Sequence, residues 1–202
     1  RKTLRCRNYP QFPYAIRFLE WQEQLNDANF MFLDEVGFNV SLRSKRGWPA
    51  CGKPANQVVP SIRSRNITIC CTMTRNGIVA YDSADGAFNQ NLFLTYFDKL
   101  KAALNTHGIT EPIIFMDNVA FHKTNLVKTF AQNNNIRLEY IPPYSPFLNP
   151  IENMFSKWKE IVRRASPKDE TDLIRIIKEG GNLIINQDCD GYFRNMLKYL
   201  RK

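Results

Sequence analysis

No stretch of the 202-residue sequence approaches the ~18 consecutive apolar residues of a membrane span. The basic N-terminal run RKTLRCRNYPQFPY also lacks the apolar segment of a secretion signal. An intracellular protein with no membrane partner is therefore expected. The five cysteines are odd in number and include no C-x-x-C pair, which argues against a disulfide framework and against a zinc site. Cys70 and Cys71 are adjacent in a strand-like run, where their side chains face opposite ways, and the cysteines read as reduced, mostly buried thiols. There is no internal repeat and no low-complexity tract. Acidic charge is in deficit: 19 Asp and Glu against 28 Lys and Arg leave a net charge of +9, which favours a polyanionic partner such as nucleic acid. Because the sequence opens at Arg1 without a methionine, a preceding segment is expected.

What is present reads as one domain with helical additions. A basic tether and a helix around YAIRFLEWQEQLND occupy residues 1–29. The run NFMFLDEVGF then predicts a buried strand over Phe30 to Leu33, ending at Asp34. Residues 43–65, rich in Lys and Arg with three prolines and two glycines, predict an extended basic loop or loose hairpin. NITICCTMT and GIVAYDS flank an Asn76-Gly77 pair, a strong hairpin signal. NQNLFLTYFDKLKAALNTHG has apolar residues at helical spacing and closes on Gly108. EPIIFMDNVAFH predicts a second buried strand, Ile113 to Met116, ending at Asp117. A helix from His122 to Asn134, a strand in IRLEYIP, a helix from Pro150 to Arg164 and helices near 169–186 and 190–201 complete the chain. Three strands in meander order, then helix, strand, helix, strand and helix, fit an α/β ribonuclease-H-like fold: a mixed sheet of three antiparallel and two parallel strands flanked by helices. The core spans 30–165, with the basic insertion inside it, and 166–202 add C-terminal helices to the same domain.

Asp34 and Asp117 share a context, each closing a short apolar strand. If those strands are parallel neighbours, their ~4.8 Å spacing puts both carboxylates at one end of the sheet, within reach of one cation. Carboxylates so close repel one another unless a hard divalent ion sits between them, with Mg²⁺ the natural choice and Mn²⁺ its substitute. Two such ions ~3.5–4 Å apart serve in-line phosphoryl displacement. A third carboxylate, Glu152, lies in YIPPYSPFLNPIENMF, where four prolines in nine positions stiffen the approach to a helix. Two roles compete for it. Asn149 as N-cap, Pro150 at the first helical position and Glu152 at the third make a capping signature; alternatively, the hinge aims Glu152 at the two aspartates.

FLDEVGFN, IIFMDNVAFH and YIPPYSPFLNPIENMFSKWK together resemble the three acidic motifs of the Tc1/mariner and IS630 superfamily of DDE transposases, over about residues 30–165. Thirty-four residues separate Asp117 from Glu152, similar to the Tc1-like branch. The resemblance implies that Asp34, Asp117 and Glu152 are the catalytic, metal-binding triad, holding two Mg²⁺ or Mn²⁺ ions and needing no small-molecule cofactor. It further implies cleavage at transposon ends followed by 3′-hydroxyl attack on target DNA, joining at TA dinucleotides, by a homodimer, in the nucleus of a eukaryote or otherwise in the cytoplasm. The basic insertion, through Arg43, Lys45, Arg46, Lys53, Arg63 and Arg65, matches a region that contacts DNA or the other protomer in related enzymes.

Around this triad, Glu35 diverges from Asp34 at the strand end, so only one of the two faces the site. Asn118 orients the site or serves the turn. His122 contacts a phosphate or carboxylate, or makes a local bond at a helix start, and Asn153 is equally open. Lys157 and Lys159 face solvent or phosphate; Trp48 anchors its loop or stacks on a base; Trp158 belongs to the core. Two other functions fit the chain: a transposase-derived host DNA-binding protein that does not cut, and another ribonuclease-H-like nuclease.

Overall fold

The computed structural model describes residues 11–25, 27–41, 51 and 65–200. Trp48 and the basic positions Arg43, Lys45, Arg46, Lys53 and Arg63 lie outside the described residues, as does the tether before Gln11.

Five strands form one sheet: β1 (Phe30–Phe38), β2 (Ile67–Thr74), β3 (Gly77–Asp85), β4 (Ile113–Met116) and β5 (Arg137–Tyr140), in the order β3-β2-β1-β4-β5. β1, β2 and β3 pair antiparallel, whereas β1–β4 and β4–β5 pair parallel. This is the mixed ribonuclease-H-like sheet expected from the order of elements. The β2–β3 hairpin turns at Arg75 and Asn76, and Gly77 has φ +132° with Asn186 Oδ1 3.0 Å from where a Cβ would stand. Only glycine meets both demands.

Alternation along β1 sorts its side chains into two layers. Phe30, Phe32, Val36 and Phe38 join a core covered by α1 (Gln11–Gln24), α4 (Pro150–Ala165), α5 (Glu170–Asn182) and α6 (Asn186–Leu200). Met31 and Leu33 join the opposite core, under α2 (Gln90–Thr106) and α3 (Asn125–Asn133). Because the sheet is buried on both faces, the strands are apolar runs. Cys71 and Cys70 fall on opposite faces as the adjacent positions require, and among the described residues Cys51, Cys70, Cys71 and Cys189 are all free thiols.

Two expected boundaries shift. β1 continues past Asp34 to Phe38 because β2 goes on pairing with it, Phe38 opposite Ile67, after β4 has ended. The single helix expected from His122 is instead a 3₁₀ turn, Ala120–Lys123, then α3, separated by the extended Thr124 (ψ 153°).

Helix α4 carries the most pronounced apolar stripe: Ile151, Met154, Phe155, Trp158 and Val162 are buried. The Trp158 indole is pinned by its Nε1–H to the Ile177 carbonyl (2.9 Å), and a Cβ at Gly181 would come within 2.9 Å of its Cζ2. Gly181→Ala is expected to cost about 1–3 kcal/mol, the overpacking range, as measured by urea unfolding.

Candidate active site

β1 and β4 run parallel with Leu33 opposite Met116, so the residues that follow, Asp34 and Asp117, both stand where that parallel pairing stops. Here β1 loses its parallel neighbour, and a crevice at the carboxyl ends of strands is where such sheets place their sites. The two carboxylates differ in surroundings. Asp34 is only 8% exposed, accepting from the Glu35 backbone N–H (2.8 Å) and from Asn149 Nδ2 (2.8 Å). Burial, reinforced by the negative charges of Glu35, Glu152 and Asp117 and partly offset by the Glu35 N–H, pushes its carboxyl from the ordinary 3.8 up to about 7. Asp117 is half-open. Burial alone would raise it, but His122, the Val119 N–H (3.1 Å) and Lys123 outweigh that and hold it below the usual range.

The third carboxylate arrives through the proline hinge, which is tied down at each step. The Ile141 N–H donates to the Met116 carbonyl (2.9 Å), and the Asn118 side chain donates to the Ile141 carbonyl. Asn118 therefore fastens the start of the hinge to the end of β4. Tyr144 is fully exposed, with φ +58°. Next to it, the buried Ser145 accepts from Gln11 Nε2 (3.0 Å) and donates to the Pro143 carbonyl (3.2 Å). A 3₁₀ turn, Pro146–Leu148, then delivers Asn149 to the N-cap of α4 with Pro150 in its first turn.

The capping signature is not used. Asn149 makes no side-chain cap; its amide is spent on Asp34, and its backbone N–H donates to the Pro146 carbonyl (3.0 Å) rather than to Glu152. Glu152 stands exposed on the first turn of α4, close enough for its charge to act on Asp34. Asn153, beside it, is exposed as well.

Below the sheet, His122 is fully buried between Phe93 and Phe121, with ring centroids 4.6 and 4.3 Å away. Its Nε2 is 3.1 Å from Glu35 Oε1, and its Nδ1 is 2.9 Å from Asp117 Oδ1, an ion-pair contact without the alignment of a hydrogen bond. Burial would lower the imidazole, yet Asp117 and Glu35 together raise it to about 9. Of the readings open for His122, the structure selects carboxylate contact. Sequence reasoning set Glu35 aside, and its only signal was its place beside Asp34.

Of the basic residues singled out, Lys157 pairs with Asp188 on α6, and Arg65 is exposed, 3.9 Å from Asp85. Lys159 is half-buried on α4. A cleft of about 1090 Å³ runs along the β3 edge between α2 and α5 and shares no residue with the acidic cluster.

Asp34, Asp117 and Glu152 thus meet electrostatically at one sheet end, although among the described residues no three His, Cys, Asp or Glu side chains are drawn close enough to form a metal cage. The donor set suits a hard divalent cation. The groups gathered there are all oxygen donors, burial and then their mutual repulsion lift Asp34, and Asn149 Oδ1 beside them is buried without a hydrogen-bond partner.

Residues 29–174 match the family model for the DDE superfamily endonuclease. No curated protein matches the chain. Among solved structures, a Mos1 transposase paired-end complex with left transposon end aligns at TM-score 0.80 and 14% identity, covering 95% of this chain and 59% of that one. A Mos1 mariner paired-end complex with Mn aligns at TM-score 0.80 and 14% identity, covering 95% and 60%. The catalytic domain of Mos1 mariner transposase aligns at TM-score 0.73 and 13% identity, covering 95% and 89%. The chain therefore spans about three-fifths of the length of the paired-end proteins and nearly all of the isolated catalytic domain. At such low identity these likenesses establish a shared fold.

Proposed function

The chain belongs to the DDE superfamily endonucleases, and from that premise we propose that it is the catalytic core of a Tc1/mariner-type DNA transposase, cutting DNA strands and joining a 3′-hydroxyl to a target. The observation that carries this reading is the pair of aspartates that follow the last paired residues of the parallel strands β1 and β4, with Glu152 acting on the same spot from α4. Asp34, Asp117 and Glu152 would hold two divalent ions, Mg²⁺ or Mn²⁺. When bound, such ions supply activation of the attacking oxygen and charge stabilisation of the leaving one.

The chain's own groups supply orientation. Asn149 and the Glu35 N–H fix the Asp34 carboxylate from two sides, leaving it few alternative rotamers. The hinge, anchored by Asn118 and Ser145, sets the height at which Glu152 meets the phosphodiester. The positive surplus of +9 retains the DNA backbone across an acidic spot that would otherwise repel it. Arg43, Lys45, Arg46, Lys53, Arg63 and Arg65 are the proposed phosphate contacts of the basic insertion. Lys157 joins them only if it leaves Asp188. A homodimer working on transposon ends and target DNA completes the proposal, by analogy with transposase assemblies.

The decisive experiment is nicking of supercoiled plasmid with Mg²⁺ or Mn²⁺. Metal-dependent nicking supports the proposal. Binding without nicking points instead to a non-cutting, host-adopted protein, and preference for an RNA–DNA hybrid points to another ribonuclease-H-like nuclease. Residues 1–202 are also expected to bind two unrelated duplexes with similar affinity, and to lose at least about tenfold between 50 and 200 mM salt as condensed counterions are released. Fluorescence anisotropy measures both. Tight binding to a single sequence would count against a core that recognises the backbone.

A further inference from the structure

Asp34 and Glu35 are consecutive on β1, so their side chains leave opposite faces of the sheet. Asp34 rises toward α4 and the acidic cluster. Glu35 descends into the layer under α2 and α3, where a lone carboxylate would be costly. It is not alone there: its Oε1 lies 3.1 Å from His122 Nε2 and 3.7 Å from Cys70 Sγ. The imidazole is held flat by the near-parallel ring of Phe93 (30°) and the edge-on ring of Phe121 (71°). Its backbone is fixed by the Tyr140 hydroxyl, which donates to the His122 carbonyl (3.0 Å). The far side of the ring then presents Nδ1 to Asp117 Oδ1 at 2.9 Å.

We propose that Glu35 and His122 form a buried strut that positions Asp117 from behind. The Asp-Glu pair of β1 thereby serves the site twice, once through Asp34 itself and once through Glu35, His122 and Asp117. Among the described residues, the turn after β4 holds the Asp117 carboxylate through the Val119 N–H (3.1 Å) alone, and its side chain is 41% exposed. Residues that orient a metal-binding carboxylate typically change metal affinity by about 10–100-fold when removed. The inference rests on the reading of Asp117 as a site carboxylate.

The test is Mn²⁺ binding followed by electron paramagnetic resonance, with DNA affinity and thermal unfolding measured alongside. Glu35→Asp keeps the charge but withdraws it from His122 by one methylene, and is expected to weaken Mn²⁺ binding about tenfold or more. Glu35→Gln retains a carbonyl oxygen that accepts from Nε2 and is expected to stay within about threefold of the parent. His122→Phe fits the aromatic cage, breaks the strut outright and is expected to match or exceed the loss in Glu35→Asp. DNA affinity should be the same in all three, a pattern that simple destabilisation would not produce. If folded Glu35→Asp binds Mn²⁺ as the parent does, the strut is overturned. Asp117→Asn separates the two levels of argument: loss of Mn²⁺ binding there with none in Glu35→Asp rejects the strut alone, whereas no loss in Asp117→Asn rejects the site reading and the strut with it.

Discussion

Glu152→Gln is expected to reduce plasmid nicking by about 10³-fold or more while leaving the unfolding midpoint nearly unchanged. Charge stabilisation by a metal site is worth several kcal/mol in the transition state, and each 1.36 kcal/mol is a factor of ten. The stability half of the prediction separates the two roles that the sequence leaves open for this carboxylate. A capping Glu at the third helical position would cost of order 1 kcal/mol when neutralised. Here the Asn149 N–H it would cap already donates to the Pro146 carbonyl, and Glu152 is exposed. An exposed position without such a partner moves stability by no more than about 0.5 kcal/mol. Asp117→Asn is expected to lose nicking as fully but with a clear stability loss, because it also removes the charge facing buried His122. A Glu152→Gln protein that nicks DNA normally and melts early would return Glu152 to the role of a cap.

Glu152 and its neighbours differ in how far the sequence alone specifies them. The mixed sheet of three antiparallel and two parallel strands is legible in strand patterning, because hairpin chemistry at Asn76-Gly77 and two apolar runs separated by helices leave few topologies. The parallel adjacency of Asp34 and Asp117 stands in the sequence only as a condition, which the β1–β4 register meets, and the hinge before Glu152 is legible in its prolines. Three features were hidden because they depend on partners remote in sequence. β1 was expected to stop at Asp34, but its last four residues are held by β2, across the basic insertion. Asn149 reads as an N-cap from local chemistry, yet its amide serves a carboxylate 115 residues away. Glu35 looked like the idle member of a pair, and the destination of its side chain is a histidine 87 residues on. In each case a local rule gave the correct position while a long-range contact took over the side chain, which is the expected pattern where a fold builds a site.

The metal-free protein is expected to lose stability as pH rises from 5 to 9, and a divalent ion is expected to restore it most strongly at the alkaline end. Asp34 is raised from 3.8 to about 7 in the fold, so between those values the folded state keeps a proton that the unfolded state has released. Stability therefore falls with rising pH across that window and levels off above about 7. His122 acts in the same direction further up: raised to about 9, it contributes stability that is complete below about 6.5 and lost as pH climbs toward 9. Groups shifted the other way, Asp117 among them, change stability only as pH drops toward 4 and leave this window undisturbed. At 1.36 kcal/mol per pKa unit, Asp34 alone accounts for about 3 kcal/mol of lost stability between pH 5 and pH 9. An ion among these carboxylates compensates the burial and repulsion that keep Asp34 protonated, so Mg²⁺ or Mn²⁺ should raise the melting temperature markedly at pH 8 and little at pH 5, with a proton released on binding in between. Asp34→Asn removes both the buried charge and a ligand. Without metal at pH 8 it should melt higher than the parent, by a few degrees, since relief of the charge exceeds the one hydrogen bond lost. It should also no longer respond to metal. Differential scanning calorimetry across pH, with and without Mg²⁺, decides the matter: a metal-free parent that grows more stable from pH 5 to 9, or an Asp34→Asn protein that melts well below it at pH 8, would mean that the carboxylates at this sheet end do not share one field.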